Sequence, residues 1–268
     1  KKKAALHNLG CKVNAYETEA MRQLLEEDGY EIVPFEPGAD VYVINTCTVT
    51  NIADRKSRQM LHKARKMNPD AIVVAAGCYV ETAEGGAEKD PAIDIVLGNN
   101  QKNQLLSVIR DFEQKRAGKE PEQTECAITK KIDINHTKEY EKLLIDRTEN
   151  RTRADIKVQD GCNQFCTYCI IPFARGRVRS RDTEDVLREV RALAASGCQE
   201  VVLTGIHLSS YGVDLKEGMD LTSLIEAVHD VDGISRIRLG SLEPGIVTEK
   251  IAYTLASLPK VCPHFHLS

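Results

Sequence analysis

Apolar and polar positions along the first 115 residues alternate in blocks. AALHNL (4–9), VYVIN (41–45), AIVVAAG (71–77) and IDIVLG (93–98) are short, nearly continuous apolar runs, the pattern of strands buried on both faces. Between them the apolar positions recur at helical spacing. That spacing predicts helices over Asn14–Asp28, stopping at Gly29, and over Ile52–Met67, ending before Asn68-Pro69. A short helical stretch follows residue 77, and a longer helix is predicted over Gln101–Lys115. Strands alternating with helices of this length imply an open parallel sheet covered on both faces. Over 117–150 the pattern fades into polar sequence such as AGKEPEQTEC, read as a connection with one or two irregular strands.

A second alternation begins at Thr152. Its strands are ADIKVQ (154–159), EVVLTG (200–205), SRIRLG (235–240) and HFHLS (264–268), with helices near Thr183–Ala195, Leu221–Val231 and Val247–Leu258. Repeated units of this kind build a parallel (β/α) barrel or open sheet. Stopping after the fourth strand would leave an open edge and half a core, so the chain is expected to be a truncated piece of a longer protein. The organisation is thus α/β throughout: a domain over 1–118, a linker over 119–150 and a partial barrel over 151–268.

Composition narrows the class. The 268 residues are 42% apolar and 28% charged, an ordinary globular balance. No run reaches the roughly 18 apolar residues of a spanning helix, and no charged-then-apolar leader opens the chain, so no membrane partner is expected. A net charge of −4 gives no global signature of nucleic-acid binding, which must rest on local patches. Nine cysteines without an export signal point to a reducing, cytoplasmic compartment, where thiols bind metal or do chemistry.

Two sets of those cysteines carry the chemistry. Cys162, Cys166 and Cys169 form a CxxxCxxC loop in GCNQFCTYCIIP (161–172), at the carboxyl end of ADIKVQ, where parallel α/β folds bind ligands. Structural zinc sites usually fill four places. Iron–sulfur clusters are held by thiolates, and three thiolates on a four-iron cube leave one iron open. Cys11, Cys47 and Cys78 are dispersed, but each follows a predicted strand. Three parallel strands would bring their ends to one rim, again three thiols with one position open. The bland reading of either set is small buried apolar residues. Cys126, Cys198 and Cys262 follow no such pattern and are taken as structural or incidental.

CxxxCxxC after the first barrel strand resembles the radical S-adenosylmethionine superfamily. Together with GCxxN, NTC and GC in the first domain, the chain resembles the methylthiotransferase family, whose members usually also carry a C-terminal TRAM domain. Within it, GCKVNAYETE and GCNQFCTYCIIPFARGRVRSR look most like the bacterial branch acting on N6-threonylcarbamoyladenosine in tRNA. The isopentenyladenosine branch tends to carry GCQMN, and the branch acting on a ribosomal-protein aspartate LGCPKN. The resemblance implies two [4Fe-4S] clusters and S-adenosyl-L-methionine. One molecule of that cofactor would methylate sulfur at the first cluster. A second, cleaved at the Cys162/Cys166/Cys169 cluster, would give the radical that activates carbon 2 of the modified adenosine. It further implies that Tyr168 lies against the adenine, that Thr204 and Gly205 meet the methionine end, and that Ser241 and Glu243 bind ribose hydroxyls or the amino group. tRNA is the implied partner, with an electron donor and a sulfur source that the sequence does not identify. The alternatives are the two sibling substrates, or a non-catalytic iron–sulfur or zinc protein.

Arg175, Arg177, Arg179 and Arg181 alternate strictly. In an extended segment all four would project from one side, as a solvated edge or as a grip on phosphates or a cofactor carboxylate. Arg55, Arg58, Lys63 and Lys66 occupy polar positions of the second helix, a solvated face or a tRNA contact. His264 and His266 read as core or cluster-adjacent.

Overall fold

The computed structural model describes residues 1–83, 85–118, 127–147, 152–216 and 218–268. The chain forms two compact units. The first comprises Lys1–Thr137, Glu141–Leu143 and Cys166–Arg175; the second comprises Lys138–Tyr140, Leu144–Phe165 and Gly176–Ser268. Cys126 lies outside the described residues.

The first unit is built on β1 (Lys3–Asn8), β2 (Glu31–Ile32), β3 (Val41–Thr46), β4 (Ile72–Gly77), β5 (Ile95–Leu97) and β6 (Ile128–Lys130), in the order β2-β1-β3-β4-β5-β6. Every pairing is parallel. Every residue of β3 and β4 is buried, as their unbroken apolar runs require. Alternate residues serve opposite faces. Val41 and Val43 join a core with Met21 and Leu25 of α1 (Lys12–Glu27) and Val108 and Phe112 of α4 (Leu105–Ala117). Tyr42 and Ile44 join a second core with Leu61 and Ala64 of α2 (Asn51–Met67). Each Val, Leu, Ile, Met or Phe side chain among these contributes about 1.5–3 kcal/mol on burial. Helix α2 starts where Thr50 Oγ1 accepts from the Ala53 amide at 3.0 Å, a cap worth about 1 kcal/mol. The short α3 (Cys78–Thr82) follows β4 directly.

The strand order fixes where a ligand can enter. From β1 the chain goes out to β2 on one side and returns to β3 on the other. This reversal opens a crevice at the carboxyl ends of β1 and β3.

The second unit carries a parallel sheet in the order β11-β10-β7, from β7 (Arg153–Lys157), β10 (Glu200–Thr204) and β11 (Arg236–Leu239). A small antiparallel pair joins β8 (Gln159–Asp160) to β9 (Arg179–Ser180). The helices are α6 (Thr183–Ala195), α7 (Leu221–His229) and α8 (Glu249–Ser257). Asp220 and Ser223 form a reciprocal capping box that starts α7. Glu200 on β10 accepts from Arg236 Nε and Arg238 Nε of β11, both at 2.6 Å.

Two expectations change, and one strand is additional. The strand expected over 264–268 is reduced to bridges, Ile237 to Val261 and Leu242 to Leu267. Pro263 lacks an N–H for a ladder, and the His264 amide turns back onto the Cys262 carbonyl at 2.7 Å. Strand β2 escapes the pattern because two residues before Pro34 carry no period. The segment 175–181 is not one extended strand: Arg175 ends α5 (Ile171–Arg175), Gly176 turns with φ +71°, and only Arg179–Ser180 are strand. Among the described residues no helix is long and apolar enough to cross a membrane.

Candidate functional site

In the first unit the three dispersed cysteines follow β1, β3 and β4 at the crevice edge. Cys11 precedes the first turn of α1, Cys47 follows β3, and Cys78 opens α3. Cys11 is exposed, whereas Cys47 and Cys78 are buried. Gly10 explains the tight approach of the first two segments. Its φ is +101°, and a Cβ there would stand 3.0 Å from Cys47 Sγ. Burial pushes the Cys47 thiol up, and the neighbouring Cys78 and Cys11 add to the rise, while a backbone N–H and Arg175 oppose it. Cys78 and Cys11 thus each lie within electrostatic reach of Cys47. Ser57 holds the loop: it accepts from the Cys47 amide at 3.0 Å and donates to the Cys47 carbonyl at 2.8 Å.

Behind the thiols lies a buried polar network, of whose members only Arg175 and Cys78 were singled out from sequence. Asn14 Nδ2 donates to the carbonyls of Leu9 (2.7 Å) and Thr46 (2.9 Å), tying β1's end to β3's. Its Oδ1 accepts from Arg175 Nη2 at 2.6 Å. Arg175 also forks onto Glu17, at 2.8 Å and 3.1 Å, and its Nε faces Cys78 Sγ at 3.3 Å. Lys102 Nζ stands 3.0 Å from Glu17 Oε2 and donates to Asn99 Oδ1 at 2.6 Å. Asn99 Nδ2 faces Cys78 Sγ at 3.7 Å. Glu17 and Asn14 were detectable in principle, because they occupy core-register positions of α1 beside Val13, Ala20 and Met21.

Among the described residues no three Cys, His, Asp or Glu side chains close on one point as ligands of a single metal ion would. A four-iron cube makes no such demand, since each thiolate binds a different iron. Three soft sulfur donors beside a buried cation fit an iron–sulfur centre by their chemistry.

The second cysteine set is divided. Cys162 belongs to the second unit, where its amide donates to the Gly176 carbonyl at 3.0 Å. Cys166 and Cys169 belong to the first. Cys162 is buried, Cys166 is exposed and Cys169 is half-buried. Gly161 (φ +71°) sets the start of the loop, since a Cβ there would overlap the Arg177 carbonyl. Asp160 Oδ1 accepts from the Gly161 amide at 2.8 Å. Tyr168 is exposed.

In the second unit the ends of β7, β10 and β11 draw together. Buried Gln159 donates to the Asp160 and Gly161 carbonyls and accepts from the His207 amide at 2.8 Å. Thr204 is buried, and Gly205 packs so closely on Gln159 that a Cβ would stand 2.7 Å from its Oε1. Ser241 and Glu243 are exposed at β11's end. The Glu243 amide donates to Ser209 Oγ at 2.9 Å, and its carboxylate lies 3.2 Å from His207 Nε2. Gln159 and His207 were not singled out from sequence, since their contacts are long-range.

The arginine alternation needs correction. Arg175, Arg179 and Arg181 are at most 3% exposed and face internal carboxylates, Glu17, Asp160 and Glu189 respectively. They are interior ion-pair partners in this structure and present no common phosphate-gripping face. Arg177 is half-buried, its guanidinium 4.3 Å from the Phe165 ring centre.

Two family models match the chain: the uncharacterized protein family UPF0004 over residues 3–98 and the radical SAM superfamily over 156–268. A threonylcarbamoyladenosine tRNA methylthiotransferase, MtaB, of Bacillus subtilis is 43% identical, over 98% of this chain and 56% of its own length. With a UPF0004 segment followed by a radical SAM segment, the chain is similar along almost all of its length to the radical-SAM methylthiotransferase family. The Aquifex aeolicus MtaB of that family is 40% identical over 99% of this chain and 62% of its own. A tRNA-2-methylthio-N(6)-dimethylallyladenosine synthase of Carboxydothermus hydrogenoformans is 34% identical over 96% and 58%. The chain thus spans little more than half the length of the methylthiotransferases it matches. In fold it is similar to a radical S-adenosylmethionine methyltransferase, TsrM, of Kitasatospora setae. The TM-score is 0.62 at 16% identity, over 97% of this chain and 58% of that one.

Proposed function

We propose that the protein to which this chain belongs is a tRNA methylthiotransferase that adds a methylthio group to carbon 2 of N6-threonylcarbamoyladenosine. Cys11, Cys47 and Cys78 would hold one [4Fe-4S] cluster and Cys162, Cys166 and Cys169 a second. When bound, the clusters and S-adenosylmethionine supply the sulfur, the electron and the radical chemistry that an unactivated ring C–H bond requires.

The chain's own residues orient and shield. Asn14 and Ser57 fix the loops that carry Cys11 and Cys47. Asp160 and Gln159 fix the start of the Cys162 loop. Thr204, Gly205, Ser241 and Glu243 lie at strand ends suited to the cofactor's polar groups, and Tyr168 offers an aromatic face for its adenine. tRNA is the macromolecular partner in this reading.

The observation that carries the reading is the position of Cys11, Cys47 and Cys78 at the carboxyl ends of β1, β3 and β4, in a chain whose other motif is CxxxCxxC. The substrate choice draws support from relatives at 43% and 40% identity that are both named for threonylcarbamoyladenosine. Mass spectrometry of tRNA nucleosides from a deletion strain tests it. Loss of the methylthio threonylcarbamoyl nucleoside, restored by the full-length gene, is the expected result. Loss of the methylthio isopentenyl nucleoside instead would move the substrate to the sibling branch, and an unchanged profile would refute the tRNA assignment.

A further inference from the structure

We propose that Arg175 is a positioning residue for the metal centre, holding a guanidinium N–H on the Cys78 sulfur and placing positive charge beside it. The inference rests on the reading that Cys11, Cys47 and Cys78 carry an iron–sulfur cluster. Arg175 is fully buried, and a buried cation is costly unless it is paired and hydrogen-bonded. Its Nη1 and Nη2 are fixed by Glu17 and Asn14, which leaves Nε directed at Cys78 Sγ at 3.3 Å.

Neutralising Glu17 does not by itself account for Arg175, because Lys102 already stands 3.0 Å from the same carboxylate. Both cations face Glu17, and Arg175 also has an N–H directed at the sulfur. Glu81 also faces Lys102 and Arg175; burial pushes its carboxyl up, and the Asn99 amide, Lys131, Lys102 and Arg175 oppose the rise. A cluster held by three thiolates supplies negative charge at that point. Hydrogen bonds to sulfur and local net charge are the levers that set its reduction potential. A lysine would keep the charge and lose the planar fork that holds Glu17 and aims Nε.

The test uses full-length protein with Cys162, Cys166 and Cys169 changed to alanine, so that only the first site loads. After anaerobic reconstitution, iron is counted and the midpoint potential is followed by electron paramagnetic resonance. The parent is expected to hold about four iron atoms per chain. Arg175→Met should shift the midpoint to more negative potential, and Arg175→Lys should fall between the two. Glu17→Gln/Arg175→Met removes both charges and spares the fold a buried, partly unpaired carboxylate; with one charge of each sign gone, it should shift in the same direction as Arg175→Met but by less, through the lost N–H to sulfur. Iron loss from a variant whose circular dichroism matches the parent supports the same role. An unchanged midpoint in an iron-loaded Arg175→Met or double variant overturns the proposal. A parent that holds no iron overturns the cluster reading itself, and is told apart by that count.

Discussion

Asn14 uses both ends of its carboxamide, donating to the carbonyls of Leu9 and Thr46 and accepting from Arg175. Asn14→Ala would leave two carbonyls and a guanidinium N–H short of partners in a buried place. The expected cost is about 2 kcal/mol in urea unfolding, with reduced iron at the first site. A variant as stable and iron-rich as the parent would contradict this role. Gly161 makes a sharper prediction about backbone. Its positive φ, with the Arg177 carbonyl where a Cβ would stand, means that Gly161→Ala should cost at least about 2 kcal/mol. A loss under half that would show that the loop relaxes freely.

At the scale of elements, Glu200 links β10 to β11. Burial pushes its carboxyl up, but the guanidiniums of Arg236 and Arg238 outweigh this and hold it below the usual carboxylate range. A depressed carboxyl contributes stability that is present above its unfolded pKa and lost as pH falls through the folded one. Glu200→Gln should therefore cost about 1 kcal/mol at neutral pH, and the difference from the parent should vanish in acid. A difference that persists below the carboxylate range would exclude the ion pairs as its source. The same elements show what was legible from sequence. Strands β3 and β4 announce themselves because their apolar runs, 41–44 and 72–77, are buried throughout. The position of Cys11, Cys47 and Cys78 after β1, β3 and β4 was legible because each follows a predicted strand. Helix α5 was not, since five residues carry no helical period, and the alternating arginines after it mimic a strand. Charge in a sequence signals surface; burial of Arg175, Arg179 and Arg181 depends on Glu17, Asp160 and Glu189, whose approach only the tertiary fold creates.

At the scale of the whole molecule, the chemistry divides the cysteines into six ligand candidates and the rest. Cys198 is buried, its thiol pushed up by that burial and donating to the Glu200 carbonyl at 3.3 Å. Cys198→Ala should lower stability by about 1 kcal/mol and leave the iron content of the full-length protein unchanged; iron loss in a folded variant would add Cys198 to the ligands. The most direct measurement is the iron and acid-labile sulfide content of reconstituted full-length protein in three forms. With all six candidate cysteines present, the account predicts about eight of each per chain. Replacing Cys11, Cys47 and Cys78 by alanine, or alternatively Cys162, Cys166 and Cys169, should leave about four. Iron that stays near four when Cys11, Cys47 and Cys78 are intact but disappears when the other set is removed, or stoichiometric zinc in its place, would contradict it.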